Sequence, residues 1–353
     1  MTSLYNWSNI MRLKPCFIQG KWQPCQFISS FVWLIGLFVL VGTAAAQPDD
    51  VISRYYYSGT IGKKSPIQME LQVKDEMVSG HYYYNRFGKP LSLKGSRSEI
   101  EERDPKNRYT GQFNGKVAVP HKIFEGHWSK PNGRTQLPFK LNKVAEYLFS
   151  NTRQGETLEV SLSYPYFLST SPAWREINDA LLKSIKQYPL EFITEARAFH
   201  AETDQRFYWF QQVDLSIEYY SETLVSLLGK NHEYSGGAHG NFYYQSSNFW
   251  IQDNQAILLK LSDLFLPGYK TRLSNECLKS LREQGASDVV NGDITGFKEE
   301  DLSRFSITPR GLTVYFDPYA VGAYAQGSFS VTIPYRKLKN VIDPEGPLKG
   351  FVK

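Results

Sequence analysis

Apolar and polar positions alternate with a period of two from residue 52 to about 143, as in the IQMELQV run at 67–73. Similar short runs fall at 80–84, 91–95, 109–113, 124–128 and 137–141, punctuated by turn residues such as Gly88, Pro90, Asn132 and Gly133. Strands spaced by about 8–12 residues, with turn chemistry between them, predict an all-β antiparallel meander forming a small barrel or sandwich. A lipocalin-like cup, an inhibitor-like barrel and a spacer are all compatible with this pattern.

The pattern changes near residue 156. LEVSLSY at 158–164 alternates as a strand, after which Trp174, Ile177, Leu181 and Ile185 recur at helical spacing. Pro189 is expected to end that helix, with a second helical piece over 192–199. Strands follow at 207–220, 224–234 and 241–251, then a helix at 268–284 and two strands at 312–316 and 328–335. Strands and helices in separate blocks predict an α+β fold with a mostly antiparallel sheet. The expected organisation is a signal peptide at 1–46, the all-β domain at 47–150, the α+β domain at 155–340 and a tail at 341–353.

Residues 31–42 (FVWLIGLFVLVG) carry no charge and lie between a basic segment, with Arg12, Lys14 and Lys21, and the small residues Ala44 and Ala46. The run falls short of the roughly 20 apolar residues of a membrane-crossing helix and suits the about 7–15 of a signal peptide. Cleavage after Ala46 is expected, placing the mature chain in the periplasm or outside the cell without a stable membrane span. An uncleaved N-terminal anchor, with the same domains outside, is the alternative.

With 353 residues, 41% of them hydrophobic and 21% charged, the chain is long enough for about two domains and too apolar for disorder. Its formal charge of +5 includes the three leader cations, leaving +2 for the remainder. Neutralising phosphates takes a concentrated Lys/Arg surface, so nucleic acid is not an expected partner. Cys16 and Cys25 fall in the leader. Cys277, at four-residue spacing from Leu273 and Leu281, reads as a buried core thiol.

Familiar catalytic motifs fail on spacing. Gly62-Lys63-Lys64-Ser65 has Tyr57 where a phosphate loop needs its first glycine, and it precedes a strand. His232-Glu233 is followed by Gly236 where a zinc-protease helix needs its second histidine. No nucleophile elbow occurs, and neither a metal nor a cofactor is expected.

Two glycine-rich segments remain. In residues 234–241 (YSGGAHGN), Gly236, Gly237 and Gly240 surround His239, between Tyr234 and Asn241. His239 reads as a buried hydrogen-bonding plug, as a ligand contact, or as an acid/base working with a carboxylate such as Asp317; a metal-ligand role lacks a second ligand at metal spacing. In residues 316–327 (FDPYAVGAYAQG), Pro318, Gly322 and Gly327 shape a loop carrying Tyr319 and Tyr324, rings suited to stacking or anchoring. Glycine beside a strand permits close backbone approach. The two segments are therefore expected to pack on one another, with His239 bonded to backbone or to a tyrosine hydroxyl. The pairs Tyr82–Tyr83, Tyr219–Tyr220 and Tyr243–Tyr244 place one ring on each sheet face, so half of these rings are expected at the surface.

These two segments, with LSDLF at 261–265, VTIPY at 331–335, VSLSYP at 160–165 and WREIN at 174–178, resemble the extracytoplasmic domain of RsiV-type anti-sigma factors. The same domain accompanies PdaC-type peptidoglycan deacetylases, and the resemblance covers roughly 155–340. It implies an α+β domain on the wall side of the membrane, acting in the RsiV branch as a lysozyme sensor. No Thr-Phe-Asp-Asp metal motif of the deacetylase occurs in this sequence, and Ala320 follows Tyr319 where family members often carry Glu. The expected function is an exported, non-catalytic binding module for a cell-wall glycan, such as a peptidoglycan fragment, or for a wall-active protein such as lysozyme. A wall-acting hydrolase or transferase using His239 and a structural envelope protein are the alternatives.

Overall fold

A computed structural model describes residues 52–117, 122–203 and 207–352, together with the backbone of a short antiparallel pair, β1 (Cys16–Ile18) and β2 (Lys21–Gln23). The apolar run at 31–42 and the cleavage point at Ala46 lie outside the described residues. No helix among the described residues is long and apolar enough to cross a membrane.

Eight antiparallel strands form the first part: β3 (Ser53–Ile61), β4 (Ser65–Lys74), β5 (Met77–Tyr84), β6 (Leu91–Ser96), β7 (Glu99–Arg103), β8 (Tyr109–Asn114), β9 (Ile123–Ser129) and β10 (Gln136–Gln154). The first half of β10 pairs with both β9 and β3, closing the ring into a barrel with no free edge. Residues 62–64, the phosphate-loop lookalike, are the β3–β4 hairpin turn, with Gly62 at φ 62°. Large rings fill the interior. Phe139 meets Phe113 and Phe124 at centroid distances of 5.1 and 4.7 Å, and Tyr82 meets Phe113 at 5.2 Å, all edge to face. The interior is thus a packed core rather than an open cup.

The second half of β10 leaves the barrel and pairs with β11 (Leu158–Phe167), so one sheet runs from the barrel into the C-terminal part. Beside β11 lie β12 (Trp209–Tyr220), β13 (Leu224–Tyr234), β14 (Asn241–Gln252) and β15 (Gln255–Leu258), antiparallel except for the β11–β12 pair. The helix α1 (Pro172–Glu202) makes the crossover that this parallel pair requires. It is a single helix, contrary to the break expected at Pro189. A proline inside a helix costs about 3 kcal/mol, whereas each buried large side chain returns about 1.5–3 kcal/mol. Ile185 and Phe192, on either side of Pro189, are both buried in one cluster with Val160, Val213 and Leu227. That shared core keeps the helix continuous.

A three-stranded antiparallel sheet, β16 (Phe305–Thr308), β17 (Gly311–Phe316) and β18 (Phe329–Ile333), forms a second layer with α2 (Tyr269–Gln284), α3 (Ser287–Val290) and α4 (Tyr335–Leu338). Residues 341–352 return to this core through Ile342 and Leu348. Cys277 is buried within it, and burial together with Glu276 pushes its thiol up to about 12. At pH 8 only about one molecule in ten thousand then carries the thiolate, so the Cys277 peptide should stay unlabelled by iodoacetamide in the folded protein. Mass spectrometry should find it labelled only after denaturation; fast native labelling would contradict this packing.

The barrel and the sheet share a buried polar seam. The Gln68 side chain accepts from the Tyr220 N–H and donates to the Tyr220 carbonyl, both at 2.9 Å, as a backbone peptide would. Tyr56 and Tyr83 donate to the same Gln68 oxygen at 2.6 and 2.8 Å. Beside them, Arg54 bridges Glu70 and Asp214, each at 2.8 Å, beneath the Tyr147 ring. This covering of the outer barrel face overturns the expected exposure of the paired tyrosines. Tyr82 and Tyr83 are both buried, and Tyr219, Tyr220, Tyr243 and Tyr244 are half-buried.

Candidate functional site

The two glycine-rich segments meet. Residues 235–240 turn β13 into β14, and residues 317–328 turn β17 into β18. Gly236 and Gly237 take φ of 95° and 91°, a region costly to side chains, and the Tyr234 hydroxyl closes the turn by donating to the Gly237 carbonyl at 3.0 Å. At Gly240 a Cβ would lie 2.8 Å from the Glu233 carbonyl, so a larger residue would wedge the turn open. The His239 ring stacks on Tyr324 with centroids 3.8 Å apart and planes 19° apart, and the Tyr324 hydroxyl donates to the Gly240 carbonyl at 2.5 Å. His239 Nδ1 lies 3.0 Å from that same carbonyl. Tyr319 extends the platform, its centroid 5.3 Å from that of Tyr324.

His239 is exposed, which corrects the buried-plug reading. Its turn projects past the end of the sheet, and the Tyr324 ring stacks against it there. The expected pairing with Asp317 is also not made. Asp317 Oδ1 accepts from the Tyr244 N–H at 2.8 Å and Oδ2 lies 3.4 Å from Arg304, so the carboxylate ties the loop root to β14. Burial raises its pKa, opposed by the Arg304 charge and the Tyr244 N–H.

Tyr319 stands out for its backbone. The Ala320 N–H donates to the Asp317 carbonyl at 3.0 Å, closing a turn with Pro318 second and Tyr319 third. The third position has φ 69°, a value that type II turns ordinarily assign to glycine. A 63%-exposed tyrosine occupies it instead. Elsewhere in the loop, Gln326 accepts from the Ser287 N–H and donates to the Gly285 carbonyl, pinning the loop to the end of α2. Gly322 leaves room for that side chain, since a Cβ there would overlap the Gln326 oxygen. Gly327, at φ 73°, ends the loop.

An open depression of about 450 Å³ lies beside the platform, lined by Phe242, Pro318, Tyr324, Gly327 and Ser328 among others. Tyr234 stacks on Phe210 at 6.2 Å, while Asn241 is exposed opposite Glu233. Phe242 lies just beyond the glycine-rich segment at 234–241. Its signal is period-two alternation, which places Phe242 and Tyr244 on one face of β14.

Residues 152–242 match the family described as Deacetylase PdaC, and residues 262–336 match a protein family of unknown function, DUF3298. The chain is 28% identical over 199 residues to the peptidoglycan-N-acetylmuramic acid deacetylase PdaC of Bacillus subtilis, which covers 53% of this chain and 40% of that protein. It therefore spans well under half the length of that relative. A crystal structure of a DUF3298 member from Bacteroides fragilis is similar with a TM-score of 0.45 at 19% identity, covering 59% of this chain and 97% of that one. A second, from Pseudomonas aeruginosa, has a TM-score of 0.43 at 17% identity, covering 57% and 94%. Residues 152–242 and 262–336 are thus similar in sequence to the PdaC and DUF3298 families, and these matches with the Bacillus relative support a PdaC-type accessory domain.

Proposed function

We propose that this chain is an exported, non-catalytic module that binds the glycan of the cell wall through the platform of Tyr319, Tyr324 and His239. The observation that carries this reading is the stack of exposed His239 and Tyr319 about half-buried Tyr324, with Tyr319 held in a left-handed backbone conformation. Strain of this kind, of order 1–3 kcal/mol, concentrates at ligand-binding positions. An aromatic ring offers an apolar face to a pyranose and a polar tip to its hydroxyls. A relative whose name specifies peptidoglycan supports the ligand class.

Cosedimentation with insoluble peptidoglycan tests the proposal. The wild-type protein should pellet with the polymer, and Tyr324→Ala should lose most of that binding while melting within a few degrees of wild type. A protein that stays in the supernatant, or a Tyr324→Ala variant that pellets fully, would defeat it. Soluble lysozyme forms the parallel arm, and binding there alone would transfer the platform to a protein ligand.

A further inference from the structure

The sheet face opposite α1 is only partly covered. At one end β16 caps it, with Asn248 Nδ2 donating to the Phe305 carbonyl at 2.8 Å and Ser246 Oγ accepting from the Phe305 N–H at 3.0 Å. Toward the other end the same face presents Phe210, Lys230, His232, Tyr234 and Phe242, the inward positions of β12 and β13 between them being buried. His232 packs on Phe242 at 4.5 Å, and Phe242 also lines the depression beside Tyr324. The open face is thus continuous with the aromatic platform.

The charges on this face are unevenly committed. Asp214 is paired with Arg54 at 2.8 Å. Glu159 accepts from Tyr208 at 2.6 Å and Asn151 at 2.8 Å and pairs with Arg153 at 3.1 Å, contacts that hold its carboxyl down to about 2. Lys230 is exposed and has no ion-pair partner among the described residues. It lies between Tyr244 on β14 and Asp214 on β12, whose carboxylate Arg54 already engages, with Phe242 two residues along the same face, a diagonal of about 7–8 Å. The uncommitted charge beside the rings is therefore positive.

Resting on the glycan-binding reading above, we infer that this open face is a second subsite that selects saccharides bearing a carboxylate, with a sugar ring against Phe242 and its acid substituent at Lys230. Complementary charge of this kind contributes selectivity and salt dependence more than bulk affinity.

Calorimetric titration with two tetrasaccharides tests the inference. One is the neutral N-acetylglucosamine oligomer, and the other alternates N-acetylglucosamine with free-acid N-acetylmuramic acid. At low salt the acidic oligomer should bind the wild-type protein about tenfold tighter, and 0.5 M salt should erase the difference, because the Debye length there falls to about 4 Å. Lys230→Gln should abolish the preference and leave the neutral oligomer's affinity unchanged, and Lys230→Glu should reverse it. Equal binding of both oligomers to wild type, or a preference that survives in Lys230→Gln, would overturn the second subsite while leaving the platform standing. Binding of neither oligomer at millimolar concentration would overturn both.

Discussion

Gln68→Ala is expected to lower the unfolding free energy by about 3–5 kcal/mol, because it strands several buried groups at once at about 1–3 kcal/mol each. The Tyr220 N–H and carbonyl lose their partner, and so do the hydroxyls of Tyr56 and Tyr83. A single domain commonly has about 5–15 kcal/mol to lose, so the change should be visible as a large fall in the urea midpoint. Gln68→Glu should fall in between. It keeps an acceptor for the tyrosines and loses the donor to the Tyr220 carbonyl. A midpoint for Gln68→Ala within error of wild type would mean that the seam does not join barrel and sheet in solution.

Tyr319→Gly should move stability and binding in opposite directions. Left-handed backbone costs a non-glycine residue about 1–2 kcal/mol, and glycine's greater freedom in the unfolded chain returns about 0.4–1 kcal/mol of that. The net expectation is a protein as stable as wild type or more so by up to about 1.5 kcal/mol. Removing an exposed ring proposed to stack on the glycan should meanwhile weaken glycan binding about tenfold, equivalent to 1.4 kcal/mol. Tyr319→Phe, which keeps the ring and the strain, should resemble wild type in both assays. A Tyr319→Gly protein that binds normally would remove Tyr319 from the site, and one that is markedly destabilised would show that the ring serves packing.

What was legible in the sequence follows from which forces are local. The barrel strands declare themselves through alternation, and the helix α1 through Trp174, Ile177, Leu181 and Ile185. The seam could not be read that way. In IQMELQV, Gln68 and Glu70 sit at positions that alternation assigns to solvent, yet both are buried, at 1% and 5% exposure, because a distant part of the chain packs on the barrel's outer face. β16 has no sequence signature, because all four of its residues are buried and leave no alternation to detect. Pro189 misled because a proline is a local signal and the core spanning Ile185 and Phe192 is not.

At the site, the glycines of both segments correctly indicated close approach, and His239 and Tyr324 do meet. The exposure of His239 depended on how far its turn reaches beyond the sheet, which no spacing encodes. Tyr319's backbone was hidden for a different reason. The Asp317-Pro318 pair signals a turn, but a tyrosine at the third position argues against the type that forms, so the strain is set by tertiary packing rather than by local sequence.

The Tyr319–Tyr324–His239 platform is proposed as a glycan-binding surface. Chemical-shift mapping of the wild-type protein, with its tyrosine and histidine rings isotopically labelled, tests it most directly when an N-acetylglucosamine–N-acetylmuramic acid oligomer is titrated in. A glycan on the platform should give saturable shifts confined to His239, Tyr319 and Tyr324, fading toward Tyr234, while the barrel tyrosines Tyr57 and Tyr82 stay still. Shifts centred on the barrel, or no shifts up to millimolar oligomer, would contradict it.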